Sequence, residues 1–182
     1  MINKILNIKE EPWVSEKAKK WLVSFLKPNM VIFEYGSGGS TIFFARRVRK
    51  IISGEYQLSW FFEVWIALWG RGIFNFKLHL STPEKGVKIK QDYMSSDPNI
   101  NSFSFKKFVM TIDQYTDDYF DLVFIDGRAR NSCIKHAIPK VKNGGYILLD
   151  DSDRKSYQKG KDYLKKIKEI NLNNAIVWKI LK

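Results

Sequence analysis

Three glycines fall within four positions at Gly36, Gly38 and Gly39, in the stretch VIFEYGSGGSTIFFA that joins an apolar run to a helical one. Glycine there permits a tight turn and lets a ligand lie against the main chain with no Cβ in the way. Three ligand classes compete for such a loop. A phosphate-cradling loop places a lysine before its Ser or Thr, and GSGGST has none, which argues against a nucleoside triphosphate. A dinucleotide turn reads G-x-G-x-x-G, and Thr41 stands where its last glycine belongs. The third reading takes in Glu34, an acid two residues before Gly36, poor company for a pyrophosphate but good company for an ammonium or sulfonium. Glu55, nineteen positions after Gly36, has the usual reach of an acid that hydrogen-bonds a ribose. Together the two acids describe a nucleoside carrying positive charge.

Other groups have chemical potential of their own. Asp126, Asp150 and Asp151 follow apolar runs and could act as a base or converge on a hard cation, although capping a helix or pairing with Arg128, Arg130 or Arg154 is the commoner use of such acids. Arg128 and Arg130, in DGRAR, are the candidates for gripping an anionic acceptor with a guanidinium fork. Cys133 and His136 stand three apart with no visible third member, and His79 lies within a strand pattern, so both read as packing residues.

Positioning these groups requires a scaffold that gathers distant segments to one edge. The pattern predicts helices over 15–26, 40–49, 58–69, 103–115, 131–141 and 156–170, and strands over 31–35, 50–55, 74–80, 120–125, 146–149 and 175–180. The polar stretch 81–101 has no period and reads as a loop. Strands apolar on both faces and separated by helices imply an α/β, Rossmann-like doubly wound fold: a mostly parallel sheet of six to seven strands with helices on both faces. The length of 182 residues and the lack of a linker predict one domain over 1–182, opened by a helical segment over 1–28. Ligands of such a sheet bind beyond the carboxyl ends of its strands, where the glycine loop and the acids fall.

The segment Glu34-Tyr35-Gly36-Ser37-Gly38 resembles motif I of the class I S-adenosylmethionine-dependent methyltransferases. GEYQLSWF resembles the E-H-D-x-x-W-Y segment of a small bacterial branch of that superfamily, with Glu55, Trp60 and Phe61 in matching places. FDLVFIDGRARNSC resembles its fourth-strand motif, VKNGGYILLDDSDR its fifth, and NAIVWK its terminal strand. Two departures stand out: Tyr56 and Gln57 replace the His-Asp pair, and the few residues after 170 suggest one terminal strand instead of two.

The resemblance implies methyl transfer from S-adenosylmethionine, with S-adenosylhomocysteine as product. It places Glu34, Tyr35, Gly36, Ser37, Gly38, Ser40, Thr41, Glu55, Tyr56, Asp126 and Gly127 around the cofactor, Asp126 and Asp151 in catalysis, and Arg128 and Arg130 on the acceptor. Magnesium at Asp126, Asp150 and Asp151 is the less favoured expectation. The expected acceptor is a small molecule or saccharide, anionic if Arg128 and Arg130 grip it; no N-P-P-Y signature marks a base or amide substrate, which leaves oxygen and nitrogen acceptors open.

Charge bears on the alternatives. The chain carries +12, and its last 29 residues hold nine basic and two acidic side chains, a field that draws anions. A nonenzymatic nucleic-acid-binding module is therefore the first alternative, though no RNP-type motif, zinc-finger spacing or recognition helix supports it. An NAD-linked oxidoreductase is the second, disfavoured by Thr41. The apolar runs fall short of a membrane span and the N-terminus lacks a secretory pattern, which with a single cysteine predicts a cytoplasmic protein. SWFFEVWIALW is apolar around most of its circumference, so core burial is expected, with a homodimer interface as a second use.

Overall fold

The computed structural model describes residues 8–85 and 91–182. Part of the expected N-terminal helical segment (1–7) and part of the 81–101 loop (86–90) lie outside the described residues.

Among the described residues, nine strands and six α-helices follow one another. β1 (Val31–Tyr35) leads through the glycine loop into α2 (Gly39–Ala45), β2 (Lys50–Glu55) into α3 (Leu58–Trp69), and then comes β3 (Phe76–Leu80). β4 (Glu84–Lys85) and β5 (Phe103–Ser104) form a small antiparallel pair ahead of α4 (Lys106–Val109). β6 (Phe120–Ile125), α5 (Arg130–Lys140), β7 (Val141–Leu149), α6 (Gln158–Asp162), β8 (Glu169–Asn171) and β9 (Ile176–Lys179) complete the order. Before β1 runs α1 (Glu16–Phe25), begun by Ser15, whose hydroxyl accepts from the Ala18 amide and donates to the Leu172 carbonyl at 2.6 Å.

The main sheet has seven strands in the order β3-β2-β1-β6-β7-β9-β8. The first five are parallel neighbours, and β9 runs antiparallel to both β7 and β8. Alternation along β1 sends Ile32 and Glu34 to one face, beneath α2, and Phe33 and Tyr35 to the other. The first face packs Ile32, Ile42, Leu122, Phe124 and Leu148 with α1, α2 and α3; the second packs Phe33, Phe108, Val123, Ile134 and Trp178 with α4 and α5. The chain winds outward from β1 through β2 to β3, then crosses back to β6 on the other side, so the crevice of the switch point opens above β1, between β2 and β6.

The doubly wound fold therefore matches its expectation, with four local differences. The helix expected over 103–115 is a short strand, one turn of α-helix and a 3-10 segment (Met110–Gln114), in which the Thr111 hydroxyl bonds back to the Lys107 carbonyl. The basic helix expected over 156–170 is a 3-10 turn (Lys155–Tyr157) and α6 alone. At Gly160 the backbone lies so close to α5 that a Cβ would come within 2.7 Å of Ile134. Its last residues instead become β8, which supplies the second antiparallel strand that the short tail seemed to exclude. Finally, α3 buries only Val64, Ala67 and Leu68; Leu58, Phe62, Trp65 and Trp69 form an exposed outer stripe, not core.

Candidate functional site

The end of β1 opens into a cleft of about 640 Å³ floored by Gly36–Ser40 and walled by Glu55, Tyr56, Gln57 and Trp60 on one side and Asp126 on the other. Gly36 holds φ +96°, and a Cβ there would meet the Asp126 carbonyl at 3.0 Å, so only glycine lets β1 turn this close to the end of β6. At Gly39 a Cβ would stand 2.2 Å from the Lys9 carbonyl oxygen, because residues 8–14 cross over the loop as a strap. Ion pairs from Glu10 to Arg46 and Arg71, and from Glu11 to Lys19, fasten that strap.

Thr41, the departure from the dinucleotide pattern, has a definite task. Its hydroxyl accepts from the Gly38 amide at 2.9 Å and donates to Glu34 at 2.6 Å, while its own amide bonds the Gly38 carbonyl. This ties the start of α2 to the acid beneath it. Glu34 is fully buried and also receives the Ser53 hydroxyl at 2.8 Å; among the described residues its other oxygen, Oε1, has no hydrogen-bond partner. Burial pushes the Glu34 carboxyl up to about 7, despite the hydroxyls that favour its charged form.

Glu55 is as enclosed as Glu34 but fully bonded. One oxygen accepts from the Ser37 amide at 3.1 Å and the Ser37 hydroxyl at 2.9 Å; the other accepts from the amides of Tyr56 and Gln57 at 2.8 Å each. These four donors fill its lone-pair sites, so any further donor must take the place of one of them, the Ser37 hydroxyl being the mobile one. Trp60 donates from Nε1 to the Ser37 carbonyl at 2.7 Å and lays its ring beside Gly38.

Of the residues expected around a cofactor, Gly36, Ser37, Gly38, Ser40, Glu55, Tyr56 and Asp126 line the cleft. Glu34 and Thr41 lie beneath its floor. Tyr35 faces the opposite core and donates its hydroxyl to the Val109 carbonyl, and Gly127 is pressed against Phe108. Trp13 and the strap residues Lys9 and Glu11 also line the cleft, and the sequence reading gave them no role. Their one cue was EPWVS, a tryptophan just ahead of a helix start.

A second pocket, about 450 Å³, adjoins the first and shares Trp13 and Asp126 with it. Asp150, Asp151 and Asn174 complete its polar wall. Carboxylate oxygens of Asp126, Asp150 and Asp151 all lie within 4.8 Å of one another. Arg130 stands among them: its guanidinium donates to the carbonyls of Gly127 (2.9 Å) and Asp150 (2.6 Å) and to Asp126 (2.8 Å), and approaches Asp151 at 3.3 Å. Arg154 pairs with Asp151 at 2.7 Å. Arg130 is thus an internal counter-ion whose donors are committed, not an open grip for an anionic acceptor. Its place beside Asp126 and Asp151 also opposes a divalent ion there, which would have to displace it.

Burial raises Asp150 to about 7, with the charges of Asp126 and Asp151 adding to the shift. Burial raises Asp126 to about 6, against the pull of Arg130. Arg128 is more open: it donates to the Tyr56 hydroxyl at 3.1 Å and pairs loosely with Asp97 at 3.4 Å. Cys133 is sealed in the core with its thiol pushed up by burial, and His136 turns away to Asp113, so the two form no couple. His79 bonds the Tyr115 hydroxyl at 2.7 Å and is likewise structural.

No protein-family model matches the chain, and no curated protein matches it. Solved structures share its fold. A methyltransferase-like protein from Silicibacter pomeroyi superposes with a TM-score of 0.69 at 18% identity, over 95% of this chain and 89% of that one. An rRNA methylase from Streptococcus thermophilus gives 0.61 at 12% identity, over 94% and 100%. A candidate methyltransferase from Streptococcus mutans, solved with S-adenosylhomocysteine, gives 0.60 at 13% identity, over 89% and 94%. The chain has the Rossmann-like fold seen in these methyltransferase-type structures.

Proposed function

We propose that the chain is an S-adenosylmethionine-dependent methyltransferase acting on a small-molecule or saccharide acceptor. The observation that carries this reading is the cleft at the switch point, where the glycine loop Gly36–Ser40 and the carboxylate of Glu55, bonded to that loop through Ser37, line one space that suits a nucleoside. The methyltransferase-type fold agrees with it, though a fold alone does not assign chemistry.

In this reading the cofactor supplies a methyl group on a sulfonium. Gly36, Gly38 and Ser40 leave room for its amino-acid portion, Glu55 takes the ribose hydroxyls, and Trp60 and Tyr56 wall the nucleoside. Glu34 is a positioning residue: sealed beneath the loop, it holds Thr41 and thereby the start of α2, and it acts on the bound ammonium only through the field of its buried charge. Asp126, shared by both pockets, faces the junction where methyl donor and acceptor meet, with Asp151 beside it as the alternative base. Alignment of acceptor and sulfonium supplies most of the rate. Arg128, at the rim beside Tyr56, remains the candidate for contact with an acceptor.

Calorimetric titration with S-adenosylmethionine, S-adenosylhomocysteine and NAD tests the reading. The two sulfur nucleosides should bind saturably, and Glu55→Gln should weaken them about tenfold or more, the size of a lost charge-assisted hydrogen bond. Binding of NAD alone would move the oxidoreductase to first place, and binding of none would remove the cofactor.

Two wider expectations belong to the same proposal. Among the described residues no helix is long and apolar enough to cross a membrane, and a cytoplasmic enzyme is the reading we adopt. A second copy of this chain is the proposed cover for the outer stripe of α3, which flanks the open edge strand β3; sedimentation of the parent beside a Trp65→Glu, Trp69→Glu variant decides it.

A further inference from the structure

We infer that the pocket beside the cleft is a cation subsite, and that it receives an ammonium group carried by the acceptor, which anchors the acceptor and, having no lone pair, is not the atom methylated. The inference deepens the methyltransferase reading and rests on it for the word acceptor, but the cation site stands on its own observations.

The first is an imbalance of charge. Three carboxylates converge at the ends of β6 and β7, and the guanidiniums that reach them are two: Arg130 serves Asp126 and Asp151, and Arg154 serves Asp151. Among the described residues the side chain of Asp150 has no ion pair, and Lys161 sets its ammonium on the Ser152 carbonyl. With all three ionised, as an arriving cation would hold them, one negative charge is left over, and it falls on the carboxylate deepest in the wall.

The second is unmet hydrogen bonding. Asp150 is 3% exposed and lines the pocket, and among the described residues its Oδ1 has no partner. Asn174 lines the same pocket, and its Oδ1 is also buried and unpartnered. A buried acceptor without a donor is costly, so native sites keep such atoms where something arrives to satisfy them. Two acceptors and a surplus charge call for a ligand that donates several hydrogen bonds and is positive. A protonated amine does both; a neutral alcohol supplies one donor and no charge, and a carboxylate or phosphate is repelled.

The third is the aromatic at the mouth. Trp13 is 97% exposed, yet lines both pockets. A tryptophan in water at the edge of an acidic pocket offers a cation its π face, the best of the aromatic side chains for that contact. Because Trp13 and Asp126 belong to both spaces, an amine held at Asp150 lies next to the cleft where the methyl donor is proposed to sit.

The probes that test this are a matched set of one shape and three charges: benzylamine, benzyl alcohol and benzoate, with magnesium chloride alone as a fourth. Each is titrated by NMR into the isotopically labelled full chain, with and without S-adenosylhomocysteine, following the Trp13 indole N–H and the Asn174 side-chain amide. Benzylamine should move both resonances saturably, and the alcohol and benzoate should bind at least about tenfold more weakly. Asp150→Asn should weaken benzylamine about tenfold, and Trp13→Ala, a change at an exposed position that leaves the fold alone, about threefold. Equal binding of benzyl alcohol, or an Asp150→Asn variant that folds and binds benzylamine as well as the parent, overturns the subsite. So does magnesium that displaces benzylamine at lower concentration, since the resident would then be a divalent ion. If S-adenosylhomocysteine fails to bind while benzylamine still titrates Trp13, the cofactor reading falls and the cation site remains.

Discussion

Glu34 shows how one residue can be found by spacing and still be misplaced by it. Its position before Gly36 suggested contact with a ligand's ammonium, yet it shares the sheet face of Ile32, and that parity puts it under α2. The alternation was legible in the sequence; the partners were not, because Ser53 and Thr41 reach Glu34 only through strand register and the helix turn. Its burial has a measurable consequence. The folded-state pKa of about 7 lies above the ordinary 4.5, so between those values the native state holds a proton that the unfolded chain has released. Stability from this group is therefore greatest below the unfolded pKa and falls as pH rises to about 7, after which the loss is complete. Glu34→Gln removes the titration. Melting temperature against pH, measured from about pH 4.5 to 8, should decline less steeply in the variant than in the parent by several degrees across the window. Parallel profiles would mean that Glu34 is ionised and solvated in the folded protein, contrary to its place here.

At the scale of elements, the parallel strands and the helices between them were readable because each strand is a short apolar run bounded by turn residues. What escaped was set by tertiary contact. The basic helix shrinks to α6, packed through Gly160 against α5, and α3 leaves its aromatic stripe in solvent although its composition reads as core. The arginines of DGRAR were visible, but which of them faces inward depends on how the β6–α5 turn closes, with Ala129 at φ +49°. Arg130 is the outcome: 7% exposed, it joins the end of β6 to the end of β7 through Gly127, Asp126 and the Asp150 carbonyl. Removing it strands several buried acceptors and an unpaired carboxylate together. Arg130→Ala should cost about 3–5 kcal/mol in urea unfolding, the range for breaking a buried ion pair. Arg128→Ala, whose ion pair is long and partly exposed, should cost about 1 kcal/mol or less. Equal costs would show that the two ends are not held together through Arg130.

For the whole molecule, the charge that first suggested nucleic acid and the site that suggests a small ligand occupy different places. The net +12 acts from the surface, whereas the pocket at the strand ends is walled by Asp126, Asp150 and Asp151. The two therefore answer to salt differently. Contacts between surface lysines and phosphates release counterions on binding, so affinity for an RNA oligomer should fall more than about tenfold between 50 and 200 mM salt if several phosphates are contacted. S-adenosylhomocysteine is held in a cleft by hydrogen bonds to Glu55 and the glycine loop in the proposed complex, and it carries no net charge near neutrality. Its affinity should change less than about twofold over the same range, because enclosed contacts are screened far less than exposed ones. Measuring both ligands on one preparation separates the roles. A nucleoside affinity that fell in step with that of RNA would place both on the basic surface and leave the cleft without its proposed occupant; a flat nucleoside response beside a steep RNA response would assign the positive field to steering or solubility and the chemistry to the strand ends.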